Sequence, residues 1–177
     1  MVTVAPEAYS KYEGSDISKQ DPTIKFQVTK KPMLSQVFKA VEGFDAVVLM
    51  RPVVSEKGDF IGSVSALFKP ETLLASVVEP AVKGSETEVT VIQLDGLAVY
   101  DSEGSDTGKN LFTDPIYQSY KELVSLGNKM VAQESGSGSY TFLNHAGGQA
   151  VEKQAFWVSV GLHNTMWRVE SIAEVNK

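Results

Sequence analysis

The sequence of 177 residues contains no cysteine and only two histidines, His145 and His163. Without cysteine the chain has no disulfide bond, no thiolate nucleophile and no cysteine-ligated zinc or iron–sulfur site. Neither histidine falls in a recognisable catalytic motif, and no cluster of histidines and carboxylates has the spacing of metal ligands. The sequence therefore predicts that the chain is not an enzyme, with no catalytic residue, no metal site and no cofactor.

Long hydrophobic runs and an excess of basic residues are also missing. The longest apolar run, residues 46–50, stops at Arg51 and is far too short to cross a membrane. Residues 1–6 lack the basic head and apolar stretch of a secretory signal peptide. The 16 Lys and Arg residues are outnumbered by 22 Asp and Glu residues, and the net charge of −6 disfavours nucleic-acid binding.

What the sequence does contain is an ordinary globular composition, with 42% hydrophobic residues. The first half has a weak helix pattern over 16–30 and then strand patterns. The turns Glu42–Gly43 and 56–59 separate those strands. The predicted strands are 33–38, 44–54 and 60–68. Pro70 then suits a first helical position, and apolar residues at helical spacing predict a helix over 70–84.

The second half has a clearer order of elements. Asp95–Gly96 is a strong hairpin turn, and Asp114–Pro115 is a good start for a helix that reaches Met130. Residues 135–139, rich in glycine and serine, are expected to form a flexible loop. The predicted strands are 88–94, 97–101, 140–143, 151–162 and 166–175. The order β-β-α-β-β-β predicts an α+β fold, with a five-stranded antiparallel sheet and its helices on one side.

Several stretches of the chain resemble one family of sensors, the Cache domains, which are PAS-like and lie outside the cytoplasm. The matching stretches are 32–53, Phe60–Val64, Leu94–Asp101, Thr107–Phe112, Trp157 and Trp167–Val169. The resemblance is to the double-Cache type, and in particular to archaeal, methanogen-type signal-transduction receptors. It implies a truncated membrane-distal module at 1–69, a connecting helix at 70–86 and a membrane-proximal PAS-like module at 87–177.

The resemblance also implies a function and a location. Proteins of this family sense small molecules outside the cell membrane for histidine kinases and chemoreceptors. We therefore expect an extracellular or periplasmic part of a membrane-anchored protein that binds a small molecule and forms a homodimer. A ligand-free dimerisation or interaction module with the same fold is the alternative. The stretch Gln27–Met33 lacks the Arg and Trp of amino-acid-binding members, so an amino-acid ligand is not implied.

Aromatic and basic side chains around the predicted helical segment are the candidate ligand-binding residues. PAS-like folds hold ligands between the sheet and this segment, where tyrosine hydroxyls give directed hydrogen bonds and a cation neutralises a carboxylate. The candidates are Tyr100, Tyr117, Tyr120, Tyr140, Lys153, Trp157 and Arg168. Lys153 and Arg168 favour a small organic acid as the ligand. Core packing is the competing interpretation for the aromatic residues. Weaker candidates in the first half are Ser35, Asp45 and Arg51.

Two motifs in the loop after residue 100 have plainer explanations. The stretch Gly104–Asn110 looks like a phosphate-binding loop, but its first glycine is one residue too close and Asn110 replaces the magnesium-binding hydroxyl. Asp101, Glu103 and Asp106 depart from the spacing of a calcium loop. We interpret the first motif as a turn and the three acidic residues as a solvated loop.

Overall fold

A computed structural model of the chain describes residues 1–144 and 148–175. His145 lies outside the described residues. The described chain divides into two compact units. The first comprises Met1–Lys69 with Leu162–Thr165, and the second comprises Pro70–Gly161 with Met166–Lys177. The division after Lys69 follows the end of a strand, and the helix that begins at Pro70 belongs to the second unit.

The first unit is a small antiparallel sheet with one α-helix. A 3₁₀-helix spans Glu7–Tyr12, and β3 is paired with each of the other three strands of this unit. Its other elements are α1 (Asp21–Thr29), β1 (Met33–Leu34), β2 (Phe38–Lys39), β3 (Asp45–Val54) and β4 (Phe60–Phe68). Phe26 of α1 is fully buried against Val48 and Met50 of β3. Burying these side chains holds the helix on the sheet.

Two predicted elements of the first unit have different bounds. The single strand predicted over 33–38 is divided into β1 and β2. Ser35 lies between them, and its hydroxyl oxygen accepts a hydrogen bond of 2.9 Å from the Val48 backbone N–H. The helix predicted from residue 16 begins only at Asp21, where Pro22 supplies the fixed φ of a first turn.

The second unit contains the predicted five-stranded antiparallel sheet. A 3₁₀-helix spans Pro115–Tyr117, and the strand order is β6-β5-β9-β8-β7. The other elements are α2 (Pro70–Val82), β5 (Glu88–Gln93), β6 (Ala98–Asp101), α3 (Lys121–Ala132), β7 (Ser135–Leu143), β8 (Ala150–Leu162) and β9 (Thr165–Glu174). Leu123, Leu126 and Met130 of α3 are buried in one core with Ile92 and Trp157 of the sheet. This amphipathic helix therefore covers one face of the sheet.

The predicted flexible loop at 135–139 is wrong, because these residues begin β7. Gly136 pairs with Trp157 on β8, and a Cβ atom at Gly136 would lie 2.3 Å from the Trp157 ring. Gly138 likewise leaves room for Leu126 of α3. The glycines that suggested flexibility are thus positions where a buried side chain approaches the strand backbone closely.

The helix predicted from Asp114 to Met130 is divided in two. Asp114 caps as predicted, accepting a 3.1 Å hydrogen bond from the Ile116 N–H, but only a short 3₁₀-helix follows. The chain turns at Gln118–Tyr120, and α3 begins at Lys121. Within the described residues, no helix has the length and apolar character needed to cross a membrane.

Candidate functional site

A cavity of about 340 Å³ lies in the second unit, between the five-stranded sheet and the segment that covers it. Its sheet side presents both polar side chains, such as Glu88 and Glu170, and apolar side chains, such as Ile92 and Ile172. Its cover is the loop after β6, the 3₁₀-helix and the start of α3. The lining includes Glu88, Thr90, Ile92, Ala98, Asp101, Glu103, Asp106, Lys109, Leu111, Ile116, Tyr117, Leu123, Tyr140, Phe142, Lys153, Glu170 and Ile172. Its size and mixed lining suit a small organic ligand.

A β-bulge decides which side chains of β6 face the cavity. Thr90 pairs with Asp101 and Ile92 pairs with Ala98, so one extra residue lies on β6 between these pairs. Asp101 therefore shares the cavity face with Thr90, whereas Tyr100, opposite Val91, faces the other side of the sheet. Asp101 is buried, which corrects the interpretation of this residue as part of a solvated loop.

Asp101 also fixes the loop that forms one wall of the cavity. Its carboxylate accepts hydrogen bonds from the Asp106 backbone N–H at 3.0 Å and from the Ser105 hydroxyl at 3.3 Å. Asp106 in turn pairs with Lys109 at 3.2 Å. Burial, and then the nearby Asp106 carboxylate, raise the pKa of Tyr117. The tyrosine therefore stays a neutral hydroxyl in the cavity wall.

A buried ion pair lies on the floor of the cavity. The ammonium group of Lys153 on β8 donates to both carboxylate oxygens of Glu88 on β5, at 2.8 Å each. Both side chains are at most 9% exposed. Such a pair persists in a low-dielectric site only with good geometry, because desolvating either charge alone is costly. Lys153 is therefore already engaged by a carboxylate of the protein itself.

Glu170 on β9 is the second buried carboxyl group of the floor. It is 5% exposed, lines the cavity, and its Oε1 atom has no hydrogen-bond partner. Burial and the nearby Glu88 raise the pKa of Glu170 to about 8, and Lys153 acts in the opposite direction. A carboxyl group with this pKa is largely protonated at neutral pH. The cavity thus contains a carboxylic acid that would ionise more readily beside a positive charge.

The stability of the chain is predicted to reflect this buried acid. In the unfolded chain Glu170 ionises near its ordinary pKa of 4.5, while in the folded chain it keeps its proton up to about pH 8. The unfolded state therefore binds fewer protons in this window, and the free energy of unfolding falls as the pH rises from 4.5 to 8. We expect Glu170→Gln to remove this part of the fall and to be more stable than the wild type at pH 8.

Denaturant midpoints measured at several pH values across this window check the prediction. Glu152 is an exposed carboxylate on β8, so Glu152→Gln is the matched control. Its denaturant midpoints are expected to change with pH as those of the wild type do. If the free energy of unfolding changes with pH in the same way for the wild type and Glu170→Gln, burial of Glu170 does not disfavour its charged form.

The seven predicted site residues separate into two groups. Tyr117, Tyr140 and Lys153 are brought together in the cavity lining. Burial and Glu170 raise the pKa of Tyr140 well above its ordinary value, so it too stays protonated. The other four residues do not line this cavity: they are Tyr100, Tyr120, Trp157 and Arg168.

Arg168 and Trp157 hold the end of α3 instead. Arg168 donates to the carbonyl oxygens of Met130 at 2.7 Å and Val131 at 3.1 Å. A cation at these last-turn carbonyls is stabilised by the helix dipole. The Trp157 ring N–H donates to the Gln133 carbonyl just after the helix. Tyr120 packs edge-on against Phe142, with ring centroids 4.7 Å apart.

The sequence reasoning missed the acidic side of the site, namely Glu88, Glu170 and Asp101. Glu88 and Glu170 stand at apolar-strand positions in the same phase as Ile92 and Ile172, and that phase was the available signal. Among the described residues no group of three or more histidines, aspartates and glutamates has the arrangement of a metal site.

The weaker candidates of the first unit form no cluster. Ser35 lies beside a second cavity, which lies between α1 and residues 31–38 and includes Asn164 and Thr165. Asp45 forms an exposed ion pair with Lys39 at 3.5 Å, and such pairs contribute little to stability. Arg51 is exposed on β3. Tyr117, Tyr140 and Lys153 therefore remain the candidates with a common location.

Comparisons with known proteins agree with the fold. Residues 1–70 match the family described as "HK/GC/Chemotaxis protein-like, sensor domain". No curated protein matches the sequence. Among solved structures, an extracellular ligand binding receptor from Desulfohalobium retbaense has a TM-score of 0.77 and 36% identity over 97% of this chain. The chain spans 27% of that receptor's length.

Two chemoreceptor structures share the fold at lower identity. The periplasmic sensory domain of Tlp1 from Campylobacter jejuni has a TM-score of 0.61 and 16% identity, covering 89% of this chain and 55% of its own. The ligand-binding domain of the amino-acid chemoreceptor PctB from Pseudomonas aeruginosa, in complex with L-Arg, has a TM-score of 0.60 and 13% identity. It covers 97% of this chain and 59% of its own. The predicted PAS-like α+β fold is confirmed, and the chain is similar to sensory domains that lie outside the cytoplasm in histidine kinases and chemoreceptors.

Proposed function

We propose that this chain is the ligand-sensing region of a membrane-anchored receptor and that it binds a small molecule in the cavity of the second unit. The observation that carries the proposal is the cavity itself, about 340 Å³ in size and lined by both polar and apolar side chains. A filled PAS-like core without ligand would have no such space at this position. The sensor-domain match of residues 1–70 supports the same function.

The cavity walls suggest how binding changes the protein. The sheet side is fixed by backbone hydrogen bonds and by the Lys153–Glu88 pair. The loop of the cover is held by the Asp101 carboxylate and, at residues 108–111, by backbone hydrogen bonds to residues 96 and 98. A ligand that contacts both would bias the position of this cover relative to β9, the strand that carries Glu170. Such a shift of a pre-existing equilibrium is how a sensory domain passes on a binding event.

The finer classification belongs to the same proposal. We assign the chain to the double-Cache type, with modules at 1–69 and 87–177 joined through 70–86, and we assign it no catalytic activity. We also propose that the chain is similar to archaeal, methanogen-type receptors and that it forms a homodimer. The two units of the structure and the sensor-type family match support the modular organisation.

A variant that narrows the cavity tests the location of binding. Ile116 lines the cavity from the cover and is 40% exposed, so a larger side chain fits there without disturbing the core. We expect a ligand found by thermal shift to bind Ile116→Trp at least about tenfold more weakly, which corresponds to about 1.4 kcal/mol. Calorimetric titration of both proteins with that compound provides the measurement.

The matched control places the same side chain far from the cavity. Ile61 on β4 is 65% exposed and belongs to the first unit, so Ile61→Trp should bind like the wild type. Equal affinity of Ile116→Trp and the wild type would contradict the proposed location. A silent screen across small carboxylates, amines, amino acids and neutral compounds would instead favour the ligand-free interaction module.

A further inference from the structure

Acidic side chains outnumber basic side chains in the lining of the cavity. Among the described residues, the lining contains two ammonium groups, and each already has a carboxylate partner. Lys153 pairs with Glu88, and Lys109 pairs with Asp106. Asp101 and Glu103 add two further acidic groups, and Glu170 adds a carboxyl group that is largely protonated at neutral pH. Another carboxylate entering this space would meet like charges in a low-dielectric site, where repulsion is strong.

Glu170 adds an observation that points to a ligand. Its side chain is 5% exposed, it lines the cavity, and Oε1 lacks a hydrogen-bond partner. A buried carboxyl oxygen without a partner costs free energy, so native structures rarely keep one. A donor placed in the cavity would satisfy this atom. A positively charged donor would also compensate the ionised form of the acid.

We propose that the cavity takes a small molecule with an ammonium group and an apolar body, and that the ammonium group donates to Glu170. This inference rests on the proposed function of the cavity and names its ligand class. The apolar body lies against apolar side chains of the lining such as Ile92 and Leu111, and Ile92 is four residues along β5 from Glu88. The ligand class is the opposite of the organic acid that Lys153 and Arg168 suggest in the sequence. Lys153 is held by Glu88 and Arg168 by the carbonyls at the end of α3.

Binding of such a cation is coupled to the release of a proton from Glu170. The groups that face Glu170 from the neighbouring strands are Glu88 on β5, Lys153 on β8 and Tyr140 on β7. Burial and Glu88 outweigh Lys153 and leave Glu170 largely protonated at pH 7, since its pKa is about 8. An ammonium group beside the carboxyl group stabilises the ionised form and lowers this pKa. The protein then releases up to one proton per ligand bound at pH 7.

A matched series of compounds tests the inference with the full chain. The probes are 2-phenylethylamine, 2-phenylethanol, 3-phenylpropanoate and L-phenylalanine, which share an aromatic body and differ in charge. We expect the amine to bind at least about tenfold more tightly than the other three. Calorimetric titration is done in phosphate and in Tris, whose ionisation enthalpies differ. The binding enthalpies of the amine in the two buffers should differ, because each buffer takes up the released proton with a different heat.

The Glu170→Gln variant removes the acid and keeps the shape of its side chain. We expect it to lose the preference for the amine and the difference in heat between the two buffers. Glu152→Gln makes the same change at an exposed position of β8 and should keep both. Folding of each variant is checked by its melting curve. Because Gln carries no ionisable group, its folded state is not expected to be weakened.

The outcomes separate the ligand class from the binding function. Tighter binding of the carboxylate or the alcohol, weakened by Ile116→Trp, would overturn the ligand class and leave the cavity as a binding site. Amine binding that Glu170→Gln does not change would also overturn the inference. Failure of the amine and of shorter alkylamines to bind at about 10 mM overturns it as well. If no compound of any class binds, the proposed function itself is contradicted.

Discussion

Replacing Lys153 with methionine is expected to lower the free energy of unfolding by about 3–5 kcal/mol. The change leaves the Glu88 carboxylate buried without its bidentate partner and close to Glu170. Methionine has a similar length to the lysine stem, so the loss comes from breaking the buried ion pair and not from a cavity. A loss of this size is a large part of the total stability of a small domain.

Guanidinium denaturation of four proteins measures this effect. The double variant Glu88→Gln with Lys153→Met removes both charges and should recover most of the loss. Lys121→Met, at an exposed position of α3, is the control and should change stability by less than about 0.5 kcal/mol. A single variant as stable as the wild type at neutral pH would show that the buried pair contributes nothing.

Replacing Gly136 with valine is expected to cost about 3 kcal/mol. A Cβ atom at this position would lie 2.3 Å from the Trp157 ring, and valine adds two more methyl groups. The ring has little room to move, because it is 3% exposed and its N–H donates to the Gln133 carbonyl. Relief of the clash requires either a shift of β7 or the loss of this hydrogen bond.

The neighbouring position on the same strand provides the control. Ser137 is exposed on β7, and Ser137→Val should be close to neutral because valine suits an exposed strand position. Tryptophan emission reports the mechanism when Trp167 is replaced by Phe in both proteins, since only Trp157 then emits and a displaced ring becomes more exposed to water. A neutral effect of Gly136→Val, with unchanged emission, would contradict the close packing of Trp157 on the strand.

Much of the fold follows from local sequence patterns. The Asp95–Gly96 turn, the Asp114 cap and the alternation in β8 predict the β-β-α-β-β-β order that the second unit has. Failures occur where packing overrides composition. The glycines of 135–139 have the composition of a loop, but they give space to Trp157 and Leu126 within a strand. Only a knowledge of the facing side chains distinguishes these two situations.

The site is harder to predict, because it depends on which face of each strand a residue occupies and on how the strands pair. Regular alternation along β6 would put Tyr100 on the same face as Ala98, but the bulge in the pairing with β5 puts Asp101 on that face instead. A bulge leaves no clear mark in the sequence of one strand. Lys153 and Arg168 are correctly recognised as cations among apolar positions. Their partners, a carboxylate 65 residues away and two helix carbonyls, are set by the tertiary fold.

A crystal structure of the chain, grown with the compound that raises the melting temperature most, shows directly where the ligand binds. We expect electron density for that compound in the cavity of the second unit, in contact with Glu170 and between Tyr117 and Tyr140. Density for the compound in the first unit, beside α1 and Ser35, would contradict binding in the second unit. So would a second-unit cavity that stays filled only with water while the compound is bound elsewhere.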